Sequence, residues 1–326
     1  MATILAADIG GTNSRFGHFE AVPGCEAGLV ESRSFPTSSV RSLPELLRML
    51  AESGFGLTPA AADRIVLAVA GPVLDGARCR LTNAEWGIDL DDPAVGLPRA
   101  RTVLINDFVA QALGCGTAHA ARTALDVQPG DERLSGARLG VTAALGAGTG
   151  LGHCALVPLP GGGVLPVPSE GGHAPLAFVD EEEFAFLAFL KKRTGHSHAF
   201  GDVVVSGSGL SSLHEFLTGR RLTPAEVAAE IGPDSETTRW FARFYARACR
   251  AYALHVLAWG GLFLCGGLAA KNPFLVDNAE FLREFRDCPA YGAQLAGIPV
   301  RLVTAPDTGL HGAARNGGML RADQPT

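Results

Sequence analysis

Two stretches of the chain repeat one pattern of apolar and polar positions: an apolar run, a glycine-rich turn and a second strand-like run. The first is "TILAADIGGTNSRFGHFE" and the second is "RLGVTAALGAGTGLGHCALVPL". Each pattern predicts a β-hairpin. Gly11 and Gly148 lie 137 positions apart, so we expect a duplicated plan in which one hairpin opens each of two lobes.

Strand-like and helix-like patterns alternate along the rest of the chain. "DRIVLAVAGPV" predicts a buried strand, and "RTVLINDFVAQALG" predicts a strand that runs directly into a helix ending at Gly114. The second half predicts a long helix from about Ser235 to Trp259, a short buried strand before "CGGLAAKN" and a closing helix over "DTGLHGAARNGGML". This alternation indicates an α/β fold, with a lobe boundary near the helix at 107–114.

Composition and charge exclude several classes of protein. A chain of 326 residues, 47% hydrophobic and 18% charged, is long enough for two globular lobes. The net charge of −6 argues against nucleic acid as a partner, and no apolar run reaches the ~18 residues of a membrane-spanning helix. The seven cysteines form no C-x-x-C pair, and their odd number suits a reducing compartment. We therefore expect a cytoplasmic protein with neither a nucleic-acid nor a membrane partner.

The first hairpin carries candidate chemistry, because Asp8 ends its apolar run and Gly10, Gly11, Thr12 and Asn13 follow. Glycine amides can converge on an anion, and Asp8 can accept hydrogen bonds from water bound to Mg²⁺. The alternative is a plain hairpin turn in which Asp8 caps the amides. Three further glycine clusters, "LGAGTGLG", "SGSGL" and "CGGLAAKN", favour phosphate binding by turns, whereas the dinucleotide and Walker patterns are both absent.

Two other places carry candidate acid–base or binding groups. Asp107 follows an apolar strand and starts a helix, where it is either the helix N-cap or a base directed at a hydroxyl. "PSEGGHAPL" places Glu170 and His173 across a Gly-Gly turn, so both side chains can face one small polar ligand. Metal binding by these two groups and a surface turn without a role are the alternatives.

Six motifs resemble, in order, those of the bacterial glucokinase family: "ADIGGTNSR", "TNAEW", "INDF", "GAGTGLG", "SEGGH" and "SGSGL". The resemblance runs from residue 4 to about residue 318. It implies the two-lobed actin-like ATPase fold of the hexokinase superfamily, with ribonuclease H-like domains and a central cleft. We expect residues 1–108 with about 304–326 to form the small α/β lobe, and about 109–303 to form the large one.

The resemblance also implies a function, ATP-dependent phosphorylation of glucose or a similar hexose at the 6-hydroxyl, which is the first step of glycolysis. The implied cofactors are ATP and Mg²⁺, and a homodimer is left open. The implied catalytic base is Asp107, and the implied sugar contacts are Asn106, Asp107, Glu170 and His173. The implied nucleotide contacts are Asp8 (which holds Mg²⁺ through water), Gly10, Gly11, Thr12, Asn13, Gly148, Thr149, Gly150, Gly266 and Gly267.

The chain departs from the family pattern at Asp202, where a glutamate that contacts the sugar is usual, and at Ser208, which replaces a proline. Asp202 is one methylene shorter, so the strictness of glucose preference is left open. The alternatives are a kinase for another hexose or an amino sugar, a polyphosphate-using glucokinase, a non-catalytic sugar sensor and a filament-forming actin relative. A cousin family of repressors and sugar kinases fits less well, because its Cys-rich zinc motif is absent.

Overall fold

The computed structural model describes residues 1–22, 24–82, 84–131, 140–160 and 162–319. The chain divides into two compact units, the first comprising Met1–Arg122 and Ala305–Thr326 and the second Thr123–Thr304. Both contain helices and a mixed sheet. The α/β class expected from the alternating pattern is therefore confirmed.

The first unit is built on a five-stranded sheet with the order β3-β2-β1-β4-β8. Its strands are β1 (Ala2–Ile9), β2 (Asn13–Ala21), β3 (Gly28–Pro36), β4 (Arg64–Val69) and β8 (Thr102–Asn106). The pairs β1–β2 and β2–β3 are antiparallel, whereas β1–β4 and β4–β8 are parallel. A small antiparallel sheet follows β4 and contains β5 (Val73–Leu74), β6 (Arg78–Arg80) and β7 (Gly87–Asp89).

The second unit has a six-stranded sheet with the order β12-β11-β10-β13-β14-β9. Its strands are β9 (Ala124–Gln128), β10 (Thr142–Ala147), β11 (Leu151–Pro158), β12 (Val164–Ser169), β13 (Gly261–Cys265) and β14 (Val300–Val303). The pairs β10–β11 and β11–β12 are antiparallel, and β10–β13 and β13–β14 are parallel. Five strands, in the sheet order β12-β11-β10-β13-β14, thus repeat the order and directions of the first unit's sheet. This is the duplicated plan that the two hairpin patterns predicted.

Helices cover these sheets. Those of the first unit are α1 (Leu43–Glu52), α2 (Asp107–Cys115), α3 (Ala118–Thr123) and α12 (Thr308–Met319). Those of the second are α4 (Glu181–Thr194), α5 (Gly201–Val204), α6 (Gly207–Thr218), α7 (Pro224–Glu230), α8 (Glu236–Val256), α9 (Gly267–Lys271), α10 (Ala279–Arg286) and α11 (Gly292–Gly297). Within the described part of the chain, no helix is both long enough and apolar enough to cross a membrane.

Strand β1 is buried on both faces, which explains its continuous apolar sequence. Because side chains alternate along a strand, Leu5 and Ile9 pack on the face covered by α1, and Ile4 and Ala6 pack on the face covered by α2 and α12. Asp8 has the same parity as Ile4 and Ala6. Its carboxylate therefore lies on the side of the sheet that α12 covers.

The backbones of α2 and α12 touch. A Cβ atom on Gly312 would overlap the carbonyl oxygen of Ala110, and one on Gly114 would overlap that of Thr308. The sequence pattern predicts a helix end at Gly114, but this is wrong, since α2 continues to Cys115 and Gly114 serves the close helix contact instead. The same packing places residues 109–122 in the first unit. This unit therefore extends to Arg122, beyond the lobe boundary expected at residue 108.

We predict that Gly312→Ala destabilises the protein by at least about 1–3 kcal/mol, because the methyl group has no space between the two helices. Gly318→Ala is the matched control, because Gly318 lies on the same helix with no heavy atom within 4 Å of an added Cβ. Alanine there favours the helix by up to about 1 kcal/mol. Denaturant unfolding measures both, and equal stability of the two variants would contradict the close packing.

Candidate functional site

The turn between β1 and β2 is fixed by hydrogen bonds within the turn and from Thr37, and its tip is exposed. The Gly10 N–H donates to the Asn13 carbonyl at 3.0 Å. Thr37 donates its hydroxyl to the Gly10 carbonyl at 2.7 Å and its N–H to the Thr12 carbonyl at 2.9 Å. Gly11 and Thr12 are exposed. The turn is thus fixed in one shape while its tip remains accessible to a ligand.

Asp8 lies at the end of β1 with 18% of its side chain exposed. Burial raises the pKa of its carboxyl to about 6, and the Arg15 guanidinium, 4.0 Å away, lowers that pKa only in part. A Cβ on Gly309 at the start of α12 would lie 2.9 Å from the Asp8 Oδ2 atom. A carboxylate this buried and this weakly neutralised is suited to a hydrated cation, which would favour its ionised form.

Asn106 and Asp107 divide two roles at the start of α2. The Asn106 Oδ1 atom accepts from the N–H groups of Phe108 (2.9 Å) and Val109 (3.3 Å), and its Nδ2 donates to the Gly71 carbonyl at 3.1 Å. The N-cap is therefore Asn106, and the alternative that Asp107 caps the helix is wrong. Asp107 is the first residue of α2, where its Oδ1 atom also accepts from the Phe108 N–H at 2.9 Å and the helix amides stabilise a negative charge.

The turn between β10 and β11 is fixed by its own backbone and by two neighbours. The Gly148 N–H donates to the Gly150 carbonyl at 2.8 Å, and the Gly207 N–H donates to the Gly148 carbonyl at 2.9 Å. The buried hydroxyl of Tyr245 accepts from the Ala147 N–H at 3.2 Å. These contacts bring the start of α6, the "SGSGL" motif, against the second hairpin.

The turn at Gly266 and Gly267 lies beside the same hairpin because β13 pairs with β10. Gly266 has φ +90°, and a Cβ on it would lie 2.5 Å from the Ala147 carbonyl oxygen. This position requires glycine, since both the backbone conformation and the close contact exclude a side chain. Gly267 begins α9, and an added Cβ there would meet nothing within 4 Å.

Asp202 links the second hairpin to the "EGGH" turn. Its Oδ1 accepts from the Leu151 N–H at 2.7 Å, and its Oδ2 lies 4.0 Å from the His173 Nε2 atom. A Cβ on Gly150 would lie 2.6 Å from the carboxylate, and one on Gly172 would overlap it. The two glycines therefore make room for a carboxylate that contacts both loops.

Glu170 and His173 complete a polar cluster with Asp202. The His173 Nε2 atom lies 3.8 Å from the Glu170 Oε2 atom, and the two side chains are 61% and 84% exposed, respectively. His153 lies beneath this turn, with its Nδ1 atom 3.0 Å from the Leu151 carbonyl oxygen, and burial lowers its pKa to about 4. The neutral His153 ring thus supports the turn, while the exposed groups above it are available to a ligand.

The predicted site residues form two sets. The first unit contains Asp8, the turn at 10–13, Asn106 and Asp107. The second unit contains the predicted site residues between 148 and 267. Asn83 of the "TNAEW" motif lies outside the described residues.

Thr37 and Tyr245, which support the hairpins, have no sequence signal, because they reach these turns only through tertiary pairing. Metal binding by Glu170 and His173 gains no support, because the described cluster of three potential metal ligands is His119, Asp307 and His311.

Comparison with known proteins identifies the family. The family model described as Glucokinase matches residues 5–317. The chain belongs to the glucokinase family. A glucokinase from Synechocystis sp. is 31% identical, over 95% of this chain and 96% of that relative.

Solved structures agree with this membership. The glucokinase of an Antarctic psychrotroph has a TM-score of 0.79 and 27% identity, covering 97% of this chain and 98% of that chain. The glucokinase of Balamuthia mandrillaris, solved in complex with glucose, has a TM-score of 0.77 and 21% identity, covering 96% and 92%. The glucokinase fold here is therefore the two-domain actin-like ATPase fold, and the chain is a kinase that phosphorylates glucose.

We predict that Asp202→Ala raises the KM for glucose about tenfold or more, because it removes a charged hydrogen-bonding group next to His173. The kcat should change much less. Asp202→Asn keeps an oxygen that can accept from the Leu151 N–H, so it separates loss of charge from loss of loop support. Steady-state kinetics measures all three proteins, and an unchanged KM in Asp202→Ala would remove Asp202 from the sugar site.

Proposed function

We propose that this glucokinase transfers the γ-phosphoryl group of ATP to the 6-hydroxyl of glucose, with Asp107 as the catalytic base. The observation that carries the proposal is the division of roles at the start of α2. Asn106 is the N-cap of the helix, and the Asp107 Oδ1 atom also accepts from the Phe108 N–H at 2.9 Å, so the carboxylate of Asp107 is held in place at the strand–helix junction. Two glycine hairpins with accessible tips accompany it, which supports a phosphate-bearing donor.

Four residues are the proposed sugar contacts besides Asp107: Asn106, Glu170, His173 and Asp202. Asn106 uses its Oδ1 atom and one Nδ2 hydrogen within the protein, so its second Nδ2 hydrogen can be donated to a sugar hydroxyl. Glu170 and Asp202 can accept hydrogen bonds from hydroxyl groups, and His173 can donate or accept. Glucose as the substrate is supported by family membership and by the glucose complex of the Balamuthia mandrillaris enzyme.

The proposed nucleotide contacts are backbone groups. The amides of the turn at 10–13 and of the turn at 148–150 would bind phosphate oxygens, and Gly266 and Gly267 would lie on the adenosine side. Asp8 would hold Mg²⁺ through water, which fits a single buried carboxylate. When bound with the nucleotide, Mg²⁺ neutralises charge on the phosphate oxygens.

In the proposed reaction, Asp107 orients the 6-hydroxyl and accepts its proton as the new O–P bond forms. The bond between the γ-phosphorus and the bridging oxygen breaks, and ADP leaves with that oxygen. Asp107 does not need a pKa near neutral, because the attacking oxygen becomes acidic as it bonds to phosphorus. The main task of the protein is positioning, since the transition state of phosphoryl transfer is loose.

Three further expectations are part of this proposal. The cysteine content supports a cytoplasmic location, the net charge of −6 supports the lack of a nucleic-acid partner, and the homodimer stays a prediction.

We predict that Asp107→Asn lowers kcat by about 10²–10⁴-fold, because an amide cannot accept the hydroxyl proton. Glucose affinity should change little, since the amide keeps a similar shape and can still form hydrogen bonds. Asp75→Asn is the control, because Asp75 is exposed and its φ of +51° is one that asparagine tolerates. Single-turnover kinetics and glucose titration measure the two effects, and near-normal turnover in Asp107→Asn would refute the assignment of the base.

A further inference from the structure

Two histidines and an aspartate converge in the first unit, in a place that the proposed reaction does not use. The His119 Nε2 atom lies 2.7 Å from the Asp307 Oδ1 atom, and the His311 Nε2 atom lies 3.7 Å from the Asp307 Oδ2 atom. One ligand atom from each of the three side chains lies within 4.8 Å of the others. We call these three residues the α3–α12 cluster.

The local sequence explains why two of the three residues, Asp307 and His311, lie close together. Asp307 immediately precedes α12 and His311 follows four residues later, with the His311 N–H donating to the Asp307 carbonyl at 3.1 Å. Residues four apart share one face of a helix. His119 comes from α3, and its ring stacks on that of His311 with centroids 3.9 Å apart and planes 7° apart. The stacked rings direct both Nε2 atoms toward one carboxylate.

His311 has an unmet hydrogen-bonding group in this cluster. Its Nε2 atom is buried and has no hydrogen-bond partner among the described residues, and an unpaired buried polar atom costs free energy. An imidazole nitrogen without a hydrogen-bond partner is a group that can bind a metal ion.

We propose that His119, Asp307 and His311 bind one divalent transition-metal ion of the Zn²⁺ type. Two imidazole nitrogens and one carboxylate oxygen are a donor set that favours Zn²⁺, Co²⁺ or Ni²⁺ over Mg²⁺. In a tetrahedral Zn²⁺ site with bonds of about 2.1 Å, ligand atoms lie about 3.4 Å apart. The His119 and His311 Nε2 atoms lie 2.7 and 3.7 Å from different oxygens of Asp307, and one ligand atom from each residue lies within 4.8 Å of the others, so the side chains would move by roughly 1 Å to reach this spacing.

The surroundings leave the cluster accessible. The side chains of His119, Asp307 and His311 are 24%, 31% and 12% exposed, respectively, and Asp307 also lines a cavity of about 420 Å³ with Arg15 and Arg33. Arg122 and Glu26 act on His311 with opposite charges. Solvent can thus reach the cluster and supply the fourth ligand as water.

The experiment is a titration of metal-free protein with ZnCl₂ by calorimetry, in buffer that contains Mg²⁺ and no nucleotide. We expect one Zn²⁺ per chain, a rise in the thermal unfolding temperature and, with Co²⁺, visible absorption bands of a nitrogen-ligated ion. His311→Asn and His119→Asn should each weaken Zn²⁺ binding by more than about tenfold, because even partners outside the ligand set are worth that much. His198→Asn is the control, since His198 is exposed and lies outside the cluster.

The outcomes separate a metal site from a purely structural contact. Absence of Zn²⁺ binding to the wild-type protein, or equal binding by wild type and both cluster variants, would overturn the proposal. Loss of binding in His198→Asn alone would also overturn it. If His311→Asn does not fold, the more exposed His119 still provides the test, because its variant removes a ligand at the edge of the cluster. Glucose phosphorylation plays no part in these readouts, so the proposed function stands or fails separately.

Discussion

The contact between the backbones of α2 and α12 is the constraint on which the first unit depends. Gly114 and Gly312 let the two helices touch, and this fixes α2, whose first residue is Asp107. The same contact brings Gly309, at the start of α12, against Asp8. The helix pair therefore fixes the start of α2, which carries Asp107, and covers Asp8 at the end of β1. These are the two carboxylates that the proposed reaction uses, and α12 also carries His311 of the α3–α12 cluster.

In the second unit, the corresponding constraint is the carboxylate of Asp202, which contacts both the second hairpin and the "EGGH" turn. Asp202 gives one oxygen to the Leu151 N–H of the second hairpin and directs the other toward His173. Gly150 and Gly172 allow this only because they lack side chains. The aspartate that replaces the usual glutamate is therefore tied to the hairpin backbone, which couples the proposed sugar-binding groups to the proposed phosphate-binding turn.

The sequence predicted those features that depend on local patterns, which include both hairpins, the strand–helix junction at 106–107 and a duplicated plan with one hairpin in each unit. It did not decide whether Asp107 caps α2 or acts as a base, because an aspartate at a strand–helix junction suits either role. It also misread Gly114 as a helix end, because a glycine needed for close packing looks like a stop signal. His119 and Asp307 are 188 positions apart, so only the fold brings them together.

The central claim is that the 6-hydroxyl of glucose receives a phosphoryl group from ATP. The most direct measurement is ³¹P NMR of the wild-type enzyme with MgATP and either glucose or 6-deoxyglucose. We expect equal amounts of ADP and glucose 6-phosphate from glucose, and no sugar phosphate from 6-deoxyglucose. A phosphorylated 6-deoxyglucose, or a glucose product that carries phosphate on another hydroxyl, would contradict it.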